Sequence, residues 1–212
     1  MTHPYYTVKK AAINEINIQK SRFISHVRRI SSEEEAKNVI EAISKEHWKA
    51  NHHCYAYVIG DDSSIQKASD NGEPSGTAGV PILEVIKKKN LRDTLIVVTR
   101  YFGGIKLGAG GLIRAYSKSA SEAISAAGMV ERLSMKIFSV TIDYSLYGTV
   151  ENALRDTDYI TKDTQFTENV TLKLAVRSEH ADTFAEWITN ICNGACFIEE
   201  IEETFMEVDL RK

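Results

Sequence analysis

The residues best suited to bind a ligand lie between positions 98 and 114, where aromatic and cationic side chains surround a run of glycines. The aromatics are Tyr101 and Phe102, and the cations are Arg100, Lys106 and Arg114. Glycine lets backbone N–H groups approach a ligand closely, and a helix that begins after such a loop presents unpaired N–H donors. The stretch predicts a site for an anionic ligand, built with the glycines Gly103, Gly104, Gly108, Gly110 and Gly111.

The glycine spacing differs from both well-known phosphate-binding loops. A P-loop needs Lys after its last glycine, but Ala109 follows Gly108, and the dinucleotide fingerprint needs a glycine where Ile113 stands. A strand-to-helix connection whose glycines only make turns is the alternative, although five glycines exceed the need of one turn. Tyr101 and Phe102 are neighbours on an extended segment, so at most one of them faces a ligand and stacks on a base.

A second candidate segment, residues 70–79, combines two carboxylates with turn formers and hydroxyls. Asp70 and Glu73 could serve acid–base or metal chemistry, or they could shape turns. We expect ligand binding by this loop, including Ser75, Gly76 and Thr77, and no catalytic residue. Arg100 has two open roles, since it could clamp a phosphate or pair with Asp70 or Glu73 and brace the two segments.

Metal and thiol chemistry have little support in the sequence. On a strand, His52 and Cys54 share one face while His53 points away. Cys192 and Cys196 lack zinc-site spacing and a second pair. We therefore expect no metal, no cofactor and no disulfide, which suits a reducing compartment.

Size and charge indicate two domains, and the mixture of predicted helices and strands gives an α+β fold class. The chain has 212 residues and a net charge of −3. Residues 1–135 hold 19 Lys and Arg against 14 Asp and Glu, whereas residues 136–212 hold 7 against 15. This asymmetry predicts one domain over 1–135 and a second over 136–212. No apolar run approaches the roughly 18 residues of a membrane helix, so we expect a cytoplasmic protein with no membrane partner.

Hydrophobic periodicity predicts the elements that position the candidate residues. Residues 7–19, 22–27, 52–59 and 91–99 read as strands, and helices are predicted from Ser32, over 80–89 and over 112–127. Ser32 and Glu35 form a capping-box pattern, and Gly128 is a natural helix stop. From residue 136 the order becomes β-α-β-β-α-β, which is the order of a ferredoxin-like domain.

Two long strings carry a family resemblance: DNGEPSGTAG at 70–79 and RYFGGIKLG at 100–108. With SRFI at 21–24, HCYAY at 53–57 and GGLIRAY at 110–116, they closely resemble the signature of the IMPACT/YigZ family. The resemblance spans nearly the whole chain. It implies a first domain with the α/β fold of a small-subunit ribosomal protein's second domain and of elongation factor G domain four. It also implies a ferredoxin-like second domain resembling domain five of that factor.

The resemblance implies a link to translation, since eukaryotic relatives regulate translation through a partner of a starvation-sensing kinase. They use an extra domain for this, so we do not expect that role here. Two function classes follow. The favoured one is a non-enzymatic module that binds RNA, the ribosome or a translation-associated protein through the glycine-rich basic surface. The alternative is an enzyme acting on a nucleotide or another small phosphate-containing ligand, with Asp70 and Glu73 beside the glycine-rich helix N-terminus.

Overall fold

A computed structural model describes residues 4–60 and 62–210. The described chain divides into two compact units. The first unit contains residues 4–132 and the residues from Val208 onward, and the second contains residues 133–207. The charge asymmetry predicts a domain boundary after residue 135. Residues 1–3 and 211–212, at the outer ends of the two predicted domains, lie outside the described residues. The fold is a mixed α/β arrangement with two antiparallel sheets.

The first unit is built on a five-stranded sheet. After a short strand β1 (Tyr5–Val8), its strands are β2 (Ala12–Ile18), β3 (Ser21–Arg29), β4 (His52–Ile59), β5 (Ile65–Ser69) and β6 (Thr94–Tyr101). They pair antiparallel in the order β2-β3-β6-β4-β5, with β6 at the centre. The single strand predicted over 7–19 is therefore wrong, since this range contains the end of β1 and all of β2. Strand β1 is not part of the five-stranded sheet and pairs instead with residues 129–132.

Three helices cover the two faces of this sheet. They are α1 (Glu33–Glu46), α2 (Gly79–Lys88) and α3 (Gly108–Ala127). Residues of α2 and α3 share one apolar core with the sheet, while Ala36 and Ile43 of α1 belong to another. Ser32 caps α1 by accepting the Glu35 N–H at 3.2 Å, as predicted. Helix α3 begins four residues earlier than predicted, so Gly108 to Gly111 form its first turn.

The second unit follows the element order predicted for it. Strand β7 (Met129–Ile142) enters the unit and is followed by α4 (Tyr144–Leu154), β8 (Ile160–Phe166), β9 (Val170–Arg177), α5 (Ala181–Ile191) and β10 (Cys196–Asp209). Its strands lie in the order β10-β7-β9-β8. Phe184 and Ile188 of α5 are fully buried against this sheet. No described helix is both long and apolar enough to span a bilayer.

Candidate functional site

The side chain of Asp70 organises the 70–79 loop. Its Oδ1 accepts the backbone N–H groups of Ala78 at 3.0 Å and Gly79 at 2.9 Å, and its Oδ2 accepts that of Gly76 at 2.8 Å. Burial acts to raise the pKa of Asp70, but the three N–H donors outweigh it and leave the pKa below its usual value. Because Ala78 supplies no side-chain cap to α2, Asp70 caps this helix from eight residues upstream.

Glu73 and Arg100 join the two candidate segments through a buried ion pair. The Arg100 Nη1 donates to Glu73 Oε1 at 2.6 Å, and the Tyr116 hydroxyl donates to the same oxygen at 2.8 Å. Arg100 Nη2 also donates to Ser21 Oγ at 3.2 Å. Arg100 is only 4% exposed and Glu73 only 8%. Of the two roles open to Arg100, the structure therefore shows the internal pair, which ties the 70–79 loop to β6 and α3.

Cys54 and Tyr116 complete this buried network. The Cys54 Sγ lies 2.8 Å from the Asp70 carbonyl oxygen and 3.3 Å from the Tyr116 hydroxyl. Burial raises the pKa of the Cys54 thiol to about 12, and burial also raises the pKa of Tyr116. A thiol that stays protonated is a poor nucleophile. The enzyme alternative stays a prediction, while these contacts account structurally for both Asp70 and Glu73.

Close packing explains two of the motif glycines. A Cβ on Gly103 would lie 2.0 Å from the Lys20 carbonyl oxygen, and a Cβ on Gly79 would lie 2.5 Å from the Ser69 nitrogen. Neither position has room for a side chain. Gly110 differs, because the nearest atom to its would-be Cβ is Arg114 Nη1 at 3.8 Å. Its missing side chain leaves an open stretch of backbone at the start of α3.

The remaining motif residues form an exposed patch, which we call the glycine-rich surface. It comprises Phe102, Gly104, Ile105, Lys106, Gly108, Gly110, Ile113 and Arg114. Helix α3 begins here with no side-chain cap and no acidic residue in its first turn. Lys106 and Arg114 form no ion pair with a side chain in residues 4–60 or 62–210. Unpaired cations beside uncapped N–H groups make this surface suitable for an anion.

The structure separates the predicted ligand-binding residues into two groups. Asp70, Glu73, Thr77 and Arg100 are committed to internal contacts, and the Thr77 hydroxyl donates to the Pro74 carbonyl at 2.6 Å. Ser75 is exposed on the loop, and Gly76, Tyr101, Gly103 and Gly111 are half-buried. Within the described ranges, no three His, Cys, Asp or Glu side chains gather closely enough to hold a metal ion.

Comparison with known proteins identifies the family. Residues 19–124 match the Impact N-terminal domain, and residues 140–195 match a domain of unknown function, DUF1949. The chain belongs to the IMPACT family. The relationship covers almost the whole chain, because the Bacillus subtilis protein named "IMPACT family member YvyE" is 53% identical over 207 residues, which are 98% of this chain and 95% of that protein.

Other IMPACT proteins share less of the sequence. The Escherichia coli "IMPACT family member YigZ" is 32% identical over 188 residues, covering 88% of this chain and 92% of its own. Rabbit "Protein IMPACT" is 33% identical over 98 residues, which are 44% of this chain and 30% of that protein. A crystal structure of a hypothetical protein superposes with a TM-score of 0.61 at 29% identity, covering 95% of this chain and 99% of the other.

Sequence reasoning missed two exposed residues of this IMPACT family member, Trp48 and Lys49. Trp48 is 73% exposed in the connection between α1 and β4, and the Lys49 Nζ lies 5.0 Å from the centre of its ring. A tryptophan in a polar connection, outside any periodic apolar pattern, is the signal that could have found them.

Proposed function

We propose that this IMPACT family member is a non-enzymatic module that binds RNA, free or within the ribosome, through the glycine-rich surface. The observation that carries the proposal is the contrast between acidic and basic motif residues. Asp70 and Glu73 are held by internal donors, whereas Lys106 and Arg114 are exposed and have no acidic partner among the described residues. A polyanion meets cations on this surface, because the motif carboxylates are already occupied by donors within the protein.

We also propose which known folds the two units resemble and that the RNA partner belongs to the translation machinery. We propose that the first unit has the fold of a ribosomal protein's second domain and of elongation factor G domain four, and that the second unit is ferredoxin-like. The βαββαβ order and the strand order β10-β7-β9-β8 support the second likeness. Together with the implied link of the family to translation, they favour ribosomal RNA, or a translation-associated protein bound to it, as the partner.

The test is co-sedimentation of the protein with RNA and with ribosomes, at low and at physiological salt. We expect Lys106→Ala/Arg114→Ala to weaken binding and to flatten its salt dependence by about 0.7 per lost phosphate contact on a log–log plot. Arg100 is a poor choice for this test, since it is buried and its loss affects folding. Arg155→Ala/Lys162→Ala removes the same charge from exposed positions of the second unit and serves as the control.

Two outcomes would contradict the proposal. The first is no binding of any RNA or ribosome by the wild-type protein at low salt. The second is equal loss of binding in the two double variants, which would mean that net charge, and not the glycine-rich surface, determines the affinity.

A further inference from the structure

Trp48 lies on the surface in a position that packing does not explain. It is the most exposed large hydrophobic residue among those described, at 73%. Its ring contacts the Lys49 ammonium at 5.0 Å, and Lys49 forms no ion pair within the described chain. In a monomer, an exposed indole leaves a large apolar surface in contact with water. The same indole with a cation above its ring suits a partner that brings both a flat ring and a negative charge.

The connection that carries Trp48 is fixed to the end of β6, next to the glycine-rich surface. The Asn51 N–H donates to the Arg100 carbonyl at 2.9 Å, and Asn51 Oδ1 accepts the Phe102 N–H at 2.8 Å. At the other end of the connection, the His47 Nδ1 lies 3.1 Å from the Tyr101 hydroxyl. These bonds place Trp48 and Phe102, which is 45% exposed, at the same end of the sheet.

Further cations lie on the segments next to Tyr101 and Phe102. Lys20 is exposed at the turn before β3, and its carbonyl packs directly against Gly103. The Arg22 guanidinium lies 5.4 Å from the centre of the Tyr101 ring and 2.9 Å from a Glu15 carboxylate oxygen. With Lys49 beside Trp48 and the exposed Lys106 four residues after Phe102, this end of the sheet carries both exposed aromatic rings and exposed lysines.

We infer that the ligand is single-stranded RNA whose bases stack on Trp48 and Phe102 while its phosphates contact Lys20, Lys49 and Lys106. This inference rests on the proposed function and names the RNA class. Unpaired bases can leave their stack and place a face on an aromatic ring, whereas bases of a duplex are already stacked on both sides. Stacking on aromatic rings accepts every base, so the inferred binding depends on strand state more than on sequence.

Fluorescence of Trp48 tests the inference directly. The chain has two tryptophans, and Trp187→Phe leaves Trp48 as the only one. We expect a 12-nucleotide oligouridine to quench this emission, and a 12-base-pair RNA duplex to bind more weakly without quenching. Trp48→Ala is expected to weaken oligouridine binding roughly 5- to 160-fold, the range for one lost base stack. Trp48→Phe, which keeps a ring, should retain most of the affinity.

The matched control is Phe197→Ala, which removes an exposed ring, 66% accessible, from the second unit and should leave binding unchanged. Far-UV circular dichroism verifies that each variant folds. Equal affinity for duplex and oligouridine, with no effect of Trp48→Ala, would overturn the inference and leave the proposed function standing. Tighter binding of oligodeoxythymidine than of oligouridine would overturn the assignment to RNA. Binding of no nucleic acid at all would instead reject the proposed function.

Discussion

Arg100 is the residue on which the contact between the two motif segments depends. Removing one partner of a buried ion pair leaves an uncompensated charge and typically costs about 3–5 kcal/mol. We expect Arg100→Met to lower the free energy of unfolding by about this amount, because Glu73 stays buried with the Tyr116 hydroxyl as its hydrogen-bond donor and with His52 Nε2 no closer than 4.0 Å. Arg100→Met/Glu73→Gln leaves no buried charge and should be more stable than Arg100→Met alone. Urea unfolding of the wild type and of each variant measures both differences.

The exposed pair of Lys118 and Glu122, 3.7 Å apart on α3, is the control. Exposed pairs contribute about 0–1 kcal/mol, so Lys118→Met should change the unfolding free energy little. A loss in Arg100→Met no larger than that in Lys118→Met would show that the buried pair does not brace the fold.

The role of Arg100 shows where inference from the sequence ends. Its spacing from Glu73, 27 residues, follows no helical or strand period, so the sequence left a phosphate clamp and an internal pair equally open. Only the sheet register and the burial of both side chains decide between them. Trp48 was missed for the related reason that its exposure depends on how the α1–β4 connection folds.

Among the elements, α2 depends on a cap that lies outside it. The pKa of Asp70 is lower in the folded protein than the roughly 3.9 of an unperturbed aspartate, so its charged form stabilises the fold above about pH 4. That contribution is lost as the pH falls through the folded-state pKa. Asn lacks the charge and has only one acceptor oxygen, so we expect Asp70→Asn to cost about 1 kcal/mol at pH 7 and progressively less below pH 4. Urea unfolding at several pH values measures the difference.

Asp156→Asn provides the comparison for Asp70→Asn. Asp156 is exposed in the second unit and follows the C-terminal end of α4, so its replacement should change the free energy of unfolding little. If the cost of Asp70→Asn were the same at pH 3 and pH 7, the charge of Asp70 would not be what stabilises α2.

Short-range sequence patterns predicted which helices and strands form better than they predicted where each one begins and ends. Ser32 and Glu35 marked the start of α1, because a capping box acts within four residues. The predicted start of α3 is four residues too late. Glycine has a low helix propensity, so Gly108 to Gly111 were not assigned to the helix, but Leu112 and Tyr116 pack in the core and stabilise the turns that follow. The break between β1 and β2 was missed because β1 pairs with residues 129–132, more than 120 residues away.

At the scale of the whole molecule, charge is divided unevenly along the chain. Residues 136–212 carry 15 acidic side chains against 7 basic ones, so this part would repel the RNA that we propose as the ligand of the first unit. The repulsion acts over distance, which makes it sensitive to salt. The Debye length is about 30 Å at 0.01 M ionic strength and about 8 Å at 0.15 M.

Neutralising two exposed acids of the second unit should therefore affect RNA binding more at low salt than at high salt. We expect Glu199→Gln/Glu202→Gln to tighten oligouridine binding a few-fold at about 0.01 M salt and by less at about 0.15 M, because salt screens the repulsion from the net charge of the second unit. Fluorescence titration of Trp48 at both salt concentrations measures the change. Glu34→Gln/Glu41→Gln removes the same charge from exposed positions of α1 and shows whether the effect belongs to the second unit. A change of the same size at both salt concentrations would contradict a screened, long-range repulsion by the second unit.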